Sequence, residues 1–240
     1  MIRRALITGG SGDLGSAIAR QLARDGVHVV IHSNSQLAKA EALADEIRAD
    51  GGIAQALACD VADAAATRSA LEGLAADQPI QIIVHSAGIH HDAPMAGMTE
   101  SMWHRVLDVS LNGFFHVTQP LLLPMLRTRW GRVIAISSVA GQVGNRGQSN
   151  YAAAKAGLHG ACQSLAKEVA SRGVTVNVVA PGIIAGRMTA GVFDADKVKA
   201  LVPAGRMGQP EEVAALVAFL VSDAASYVSG QIIGVNGAMA

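Results

Sequence analysis

Tyr151 and Lys155 stand four residues apart in Tyr151-Ala152-Ala153-Ala154-Lys155, a spacing that puts a phenol and an ammonium on one face of a helix. With two tyrosines and five lysines in the whole chain, chance supplies such a pair only about 4% of the time. A free phenol titrates near ~10, too high for ready proton exchange at neutral pH, and a cation one turn away is expected to lower that value by stabilising the phenolate. Ser138 follows the apolar stretch 133–136, so its hydroxyl stands at a strand end, where α/β proteins collect functional groups. A proton donor, a cation and a hydroxyl are equipment for polarising a carbonyl and protonating its oxygen. Each also has a plain structural use: Tyr151 as an amphipathic core residue, Lys155 as a solvated helix charge, Ser138 as a helix cap.

Such groups need a framework. Short β-branched runs at 5–7, 27–31, 80–84, 132–136, 174–179 and 231–235 alternate with segments of helical apolar spacing at 15–25, 37–50, 62–75, 101–127, 151–171 and 211–222, and a short strand near 54–58 would complete seven. Several of the short runs are apolar at successive positions, as in strands covered on both faces. The alternation predicts an α/β fold: one doubly wound (Rossmann) parallel sheet of seven strands with helices on both faces, in a single domain over 1–240. The irregular stretch 183–208 follows a strand and is a candidate lid over the carboxyl edge of the sheet.

The first strand-to-helix turn reads Thr8-Gly9-Gly10-Ser11-Gly12-Asp13-Leu14-Gly15. Glycines there let the backbone approach a pyrophosphate, while free N–H groups and the helix dipole favour negative charge, so this is the expected seat of a dinucleotide. The second strand ends in His32-Ser33-Asn34-Ser35, without the carboxylate that would bind an adenosine ribose and repel a 2′-phosphate. NADP(H) is therefore favoured over NAD(H), with Ser33, Asn34 and Ser35 as neutral donors or as a simple polar turn.

The composition excludes other classes. Half of the 240 residues are hydrophobic and 16% are charged, enough apolar material for a large core. Equal numbers of basic and acidic residues leave no footprint for a nucleic acid. Cys59 and Cys162 stand in no metal or redox spacing, and His90-His91-Asp92 reads as a polar loop near the site mouth, so no metal is expected. No signal peptide and no membrane-length apolar run is found, which points to a cytoplasmic protein without a membrane partner.

With these residues in view, the chain is similar over essentially its whole length to the short-chain dehydrogenase/reductase family, and particularly to bacterial 3-oxoacyl-(acyl carrier protein) reductases. Beyond Ser138, Tyr151 and Lys155, the likeness rests on 108–112, Asp60-Val61, Ser86-Ala87-Gly88, Pro181-Gly182, the block 144–150 before Tyr151, the segment 168–177 and the glycines from 230 to 237. It implies a catalytic set of Asn112, Ser138, Tyr151 and Lys155, in which Lys155 also holds the nicotinamide ribose and Asn112 anchors a water that resupplies the proton. It implies coenzyme contacts from Gly9, Ser11, Gly12, Asp13, Leu14, Gly15, Ser33, Asn34, Asp60, Val61, Ser86, Ala87, Gly88, Tyr151, Lys155, Pro181, Gly182 and Ile184. The activity it implies is NADPH-dependent reduction of a 3-oxoacyl thioester on acyl carrier protein, for fatty-acid, polyketide or polyene synthesis. Arg129 and Arg172 match positions that dock the acidic carrier near the cleft. The alternatives are a dehydrogenase of free alcohols, sugars or steroids, and a nucleotide-sensing or scaffolding member without catalysis.

The chain departs from the family pattern at four places: Asp13 stands where the turn has a glycine, Gly12 where many NADP users have a base, Ser86 where an asparagine is common, and Gly186 where a threonine is frequent. The hydrophobic run 114–126, with Pro120 and Pro124, and the helix from Tyr151 are apolar on more than one face. They suggest burial against other subunits, and the resemblance implies a homotetramer.

Overall fold

A computed structural model describes residues 2–75 and 78–240. In chain order the elements are β1 (Arg4–Thr8), α1 (Asp13–Arg24), β2 (His28–Ser33), α2 (Leu37–Ala49), β3 (Ala54–Ala58), α3 (Ala64–Ala75), β4 (Ile82–His85), α4 (Glu100–Leu107), α5 (Gly113–Arg127), β5 (Gly131–Ile136), α6 (Ala140–Val143), α7 (Ser149–Val169), β6 (Val174–Pro181), α8 (Ala195–Leu201), α9 (Pro210–Val221) and β7 (Ile232–Val235). All seven strands pair in parallel, in the order β3-β2-β1-β4-β5-β6-β7. The doubly wound sheet expected from the alternating runs is present as one domain.

The strands are apolar at successive positions because each faces two cores. Ala5 and Ile7 of β1, Ile134 and Ile136 of β5 and Val179 of β6 enter the layer covered by α1, α2 and α9. Their neighbours Leu6, Val133, Ala135, Val176 and Val178 enter the opposite layer, under α3, α5 and α7. Helix α9 starts cleanly, with Pro210 in its first turn and a reciprocal cap in which Glu212 accepts from the Gln209 N–H at 2.7 Å.

Two expected elements differ. The single helix over 101–127 is α4 and α5 joined by a wide π turn at Asp108–Asn112, whose extra residue rotates the side chains that follow. The irregular stretch 183–208 contains α8, capped by the Asp194 carboxylate on the Lys197 N–H at 2.8 Å. No helix among the described residues is long and apolar enough to cross a membrane.

Besides its backbone pairing, edge strand β7 is fastened at its entry to β6 by one buried amide. Asn177 accepts from the Gln231 N–H at 3.1 Å and donates to the Val228 carbonyl at 2.7 Å. Asn177→Ala leaves both groups without partners, at a cost of about 2 kcal/mol. Urea unfolding should show that loss, and amide exchange should accelerate first in Ile232–Val235.

Candidate active site and dinucleotide cleft

β1 is flanked by β2 on one side and β4 on the other, so the crossovers leaving β1 and β4 run to opposite faces and part at the carboxyl edge. A cleft of about 810 Å³ opens there, lined by the turns after β1, β2, β4, β5 and β6. The Thr8 hydroxyl holds its floor together by accepting from the N–H groups of Ser86 at 3.1 Å and Ala87 at 3.0 Å. Its one proton is then free for His85 Nδ1 at 3.1 Å, which leaves His85 Nε2 to donate to the Ser110 carbonyl at 3.0 Å. Complete burial, with the Lys155 charge adding to it, drives the His85 pKa down to about 3, so the ring is a neutral structural bridge.

The glycine turn has the form a phosphate cradle needs. Gly9 adopts φ +64°, and a Cβ on Gly15 would stand 2.2 Å from the Gly9 carbonyl oxygen, so neither position admits a side chain without moving the backbone. His32 braces the turn from β2: its Nδ1 accepts from the Gly9 N–H at 3.3 Å while Nε2 donates to the Cys59 carbonyl at 2.9 Å. The Ser33 hydroxyl, at the end of β2 on the cleft wall, is buried without a partner among the described residues. A close backbone cradle at a helix N-terminus and an unsatisfied hydroxyl beside it fit a dinucleotide.

Most of the residues expected to contact that group line the cleft: Gly9, Ser11, Gly12, Asp13, Leu14, Gly15, Ser33, Asn34, Ser86, Ala87, Gly88, Tyr151, Pro181, Gly182 and Ile184. Ser138 and Tyr151 stand on its far wall, and Lys155 lies behind Gly88, where a Cβ would meet its Nζ at 3.0 Å. Asp60 and Val61 are set back from it. The Asp60 carboxylate receives the Ala62 N–H at 3.0 Å and Arg105 at 3.1 Å, and Val61 is packed in the core.

Asn150, which the sequence placed in the block before Tyr151 without a role of its own, fixes the start of α7. Its amide donates to the carbonyls of His91 at 3.0 Å and Met102 at 3.1 Å and accepts from the Tyr151 N–H at 2.8 Å. The Ser138 hydroxyl accepts from the Ala140 N–H at 3.1 Å and shares the cleft wall with the Tyr151 phenol, whose pKa it lowers. Neighbouring Ser137 is not spare: it donates to the Lys155 carbonyl at 3.0 Å and meets His159 Nε2 at 2.7 Å.

Three expectations need correction. The Tyr151 phenol is raised, not lowered: burial dominates, the Ser138 hydrogen bond opposes it, and the Asp92 charge adds to the rise. Lys155 does not offset this, because its Nζ donates to the Ile136 carbonyl at 2.8 Å and lies 5.6 Å from the Tyr151 ring centre. Asn112 is exposed and donates to the Asp108 carboxylate at 2.8 Å, turned away from Lys155 by the π turn. The residue delivered inward is Ser110, whose buried hydroxyl has no partner among the described residues and comes within 3.4 Å of the point beside Gly88 that Lys155 also approaches. Arg129 and Arg172 are exposed in the turns entering β5 and β6, at the amino edge of the sheet, opposite the cleft of the same subunit. The docking role expected of them near the cleft does not follow from this placement.

At the mouth, His90 Nδ1 and the Asp92 carboxylate lie 3.0 Å apart, and Gln148 donates to Asp92 at 3.0 Å. Among the described residues no three His, Cys, Asp or Glu side chains gather to hold a metal.

The comparisons with known proteins agree with this geometry. A family model described as enoyl-(acyl carrier protein) reductase, of the short-chain dehydrogenase/reductase group, matches residues 11–239. The chain belongs to the short-chain dehydrogenase/reductase family. It is 42% identical over 244 residues to a 3-oxoacyl-(acyl carrier protein) reductase of Aggregatibacter actinomycetemcomitans, covering all of both chains. It is 43% identical to proteins of the same name from Staphylococcus aureus, over 100% of this chain and 98% of the relative, and from Escherichia coli, over 98% and 96%. Family membership implies a nicotinamide cofactor.

Burial lowers the Lys155 ammonium to about 8 from an ordinary 10.5. Between those values the unfolded chain holds the proton that the folded one has lost, so this group makes the protein more stable as pH rises through the window. Relative to Lys155→Met, the wild type is expected to gain about 2 kcal/mol between pH 7 and pH 9.5. Urea unfolding of both proteins at the two pH values checks this.

Proposed function

We propose that this chain reduces the 3-oxo group of acyl chains carried on acyl carrier protein, in cytoplasmic fatty-acid synthesis, with NADPH as the preferred reductant. The reading is carried by one observation: the Tyr151 phenol and the Ser138 hydroxyl line the same cleft as the glycine turn. The full-length relatives carry the corresponding name.

When bound, the nicotinamide supplies hydride to the carbonyl carbon. Ser138 and Tyr151 donate hydrogen bonds to the carbonyl oxygen, orienting the bond and stabilising the negative charge that develops there. Tyr151 then passes its proton to that oxygen. Burial holds the phenol protonated at neutral pH, which suits reduction, where the proton must be given. Lys155 keeps a positive charge behind Gly88, where it can hold ribose hydroxyls. NADPH is favoured because Ser33 and Asn34 line the cleft at the end of β2 with no carboxylate to repel a 2′-phosphate. The segment 183–208 acts as the lid, since its residues 184–189 form one wall of the cleft.

The description of the family model favours a second reading, reduction of an enoyl group. That reaction takes its proton on carbon, whereas Ser138 and Tyr151 together serve an oxygen. Spectrophotometric assays with acetoacetyl- and crotonyl-carrier protein, a free ketoester and simple secondary alcohols, each with both coenzymes, separate the readings. The expected result is fastest turnover with NADPH and the acetoacetyl carrier; faster loss of crotonyl carrier would favour the enoyl reading. Tyr151→Phe should lower kcat by roughly 10²–10⁴-fold while leaving coenzyme affinity near the wild-type value.

Phe115 and Leu123 project from α5 with 63% and 59% of their surface exposed, an apolar face suited to a homotetramer. Light scattering after chromatography should report a tetramer for the wild type and a smaller species for the double variant Phe115→Glu/Leu123→Glu.

A further inference from the structure

We infer that Arg187 sets how tightly the cleft holds its coenzyme, by cancelling the charge that Asp13 brings to the glycine turn. Asp13 is the first residue of α1, the helix end whose N–H groups and dipole would receive a pyrophosphate. A bare carboxylate there competes with that anion. In this structure it is not bare. The Arg187 backbone N–H donates to Asp13 Oδ2 at 2.6 Å, its Nε donates to Oδ1 at 2.9 Å, and its Nη2 reaches the Ser11 carbonyl at 3.4 Å.

The contact also accounts for a second departure from the family pattern. A Cβ on residue 186 would stand 2.6 Å from Asp13 Oδ2 and 3.2 Å from its Cβ, so the carboxylate can lie against the lid only because residue 186 is Gly186. Asp13 and Gly186, far apart in the chain, are two halves of one arrangement, and Arg187 completes it. The pair is partly exposed, with 61% of the Arg187 side chain and 33% of the Asp13 side chain accessible, so its value as a surface ion pair is small. Its consequence lies in the charge met by an arriving phosphate: near zero with Arg187 present, negative without it. Arg187 is thus a positioning and affinity-determining residue, and it ties the lid to the turn before coenzyme arrives.

The inference rests on the dinucleotide reading of the cleft, and the test separates the two. Titrating NADPH by calorimetry into wild type, Arg187→Ala, Asp13→Gly and the double variant gives a cycle of dissociation constants. Arg187→Ala should weaken binding about tenfold, the effect of one unit charge acting over a few ångströms in a partly solvated site. On the Asp13→Gly background the same change should alter affinity less than about threefold, because no charge remains to be cancelled. In the coenzyme-free protein, amide exchange at residues 187–189 should speed up in both single variants. Equal affinity of Arg187→Ala and wild type, an undiminished loss on the Asp13→Gly background, or unchanged exchange would overturn the inference and leave the cleft's assignment intact. Failure of the wild type to bind NADPH, and NADH in a parallel titration, would overturn both.

Discussion

The Thr8 hydroxyl, receiving the N–H groups of Ser86 and Ala87, is the contact from which the site is built. It lies where β1 and β4 run side by side and their connections leave for opposite faces of the sheet. Without it the two turns that form the cleft floor would have no common anchor, and their backbone donors would be buried unsatisfied. The His85 ring continues the tie to Ser110, and Gly88 brings the same turn against Lys155. One hydroxyl therefore connects the glycine turn, the strand ends and the helix that carries the phenol and the ammonium.

The two chemical groups of the far wall are set by different means. Tyr151 is placed through the backbone, because Asn150 ties the first turn of α7 to the loop at His91 and to the end of Met102. Lys155 is placed through its own tip, on the carbonyl that closes β5. Burial pushes both groups toward their uncharged forms, raising the phenol and lowering the ammonium. A chemistry that needs a protonated phenol and a nearby cation thus begins with the first strongly favoured and the second held at a cost, as active sites often do.

The sheet was legible in the sequence because every strand is squeezed between two helical layers, and that constraint writes itself as consecutive apolar residues at 5–7 and 133–136. Tyr151, Lys155 and Ser138 were legible because spacing on one helix and position after one strand are local properties. What failed was not local. The π turn at 108–112 adds one residue to a helical repeat, and that is enough to carry Asn112 outward and Ser110 inward. Asp13 looked like an uncompensated defect because Arg187 meets it only after the chain has crossed the sheet. The fall expected in the Tyr151 pKa counted the Lys155 cation alone, whereas burial governs.

The strand order has a meaning for how the molecule is made. β2 and β3 are laid outward from β1 on one side; β4 then takes the other side, and β5, β6 and β7 each join the edge their predecessor has just left open. A chain emerging from the ribosome can dock each new strand on a finished neighbour, never having to insert one between two already paired. Vectorial synthesis and sheet growth run in the same direction, and each strand from β4 onward finds the edge it will cover already formed.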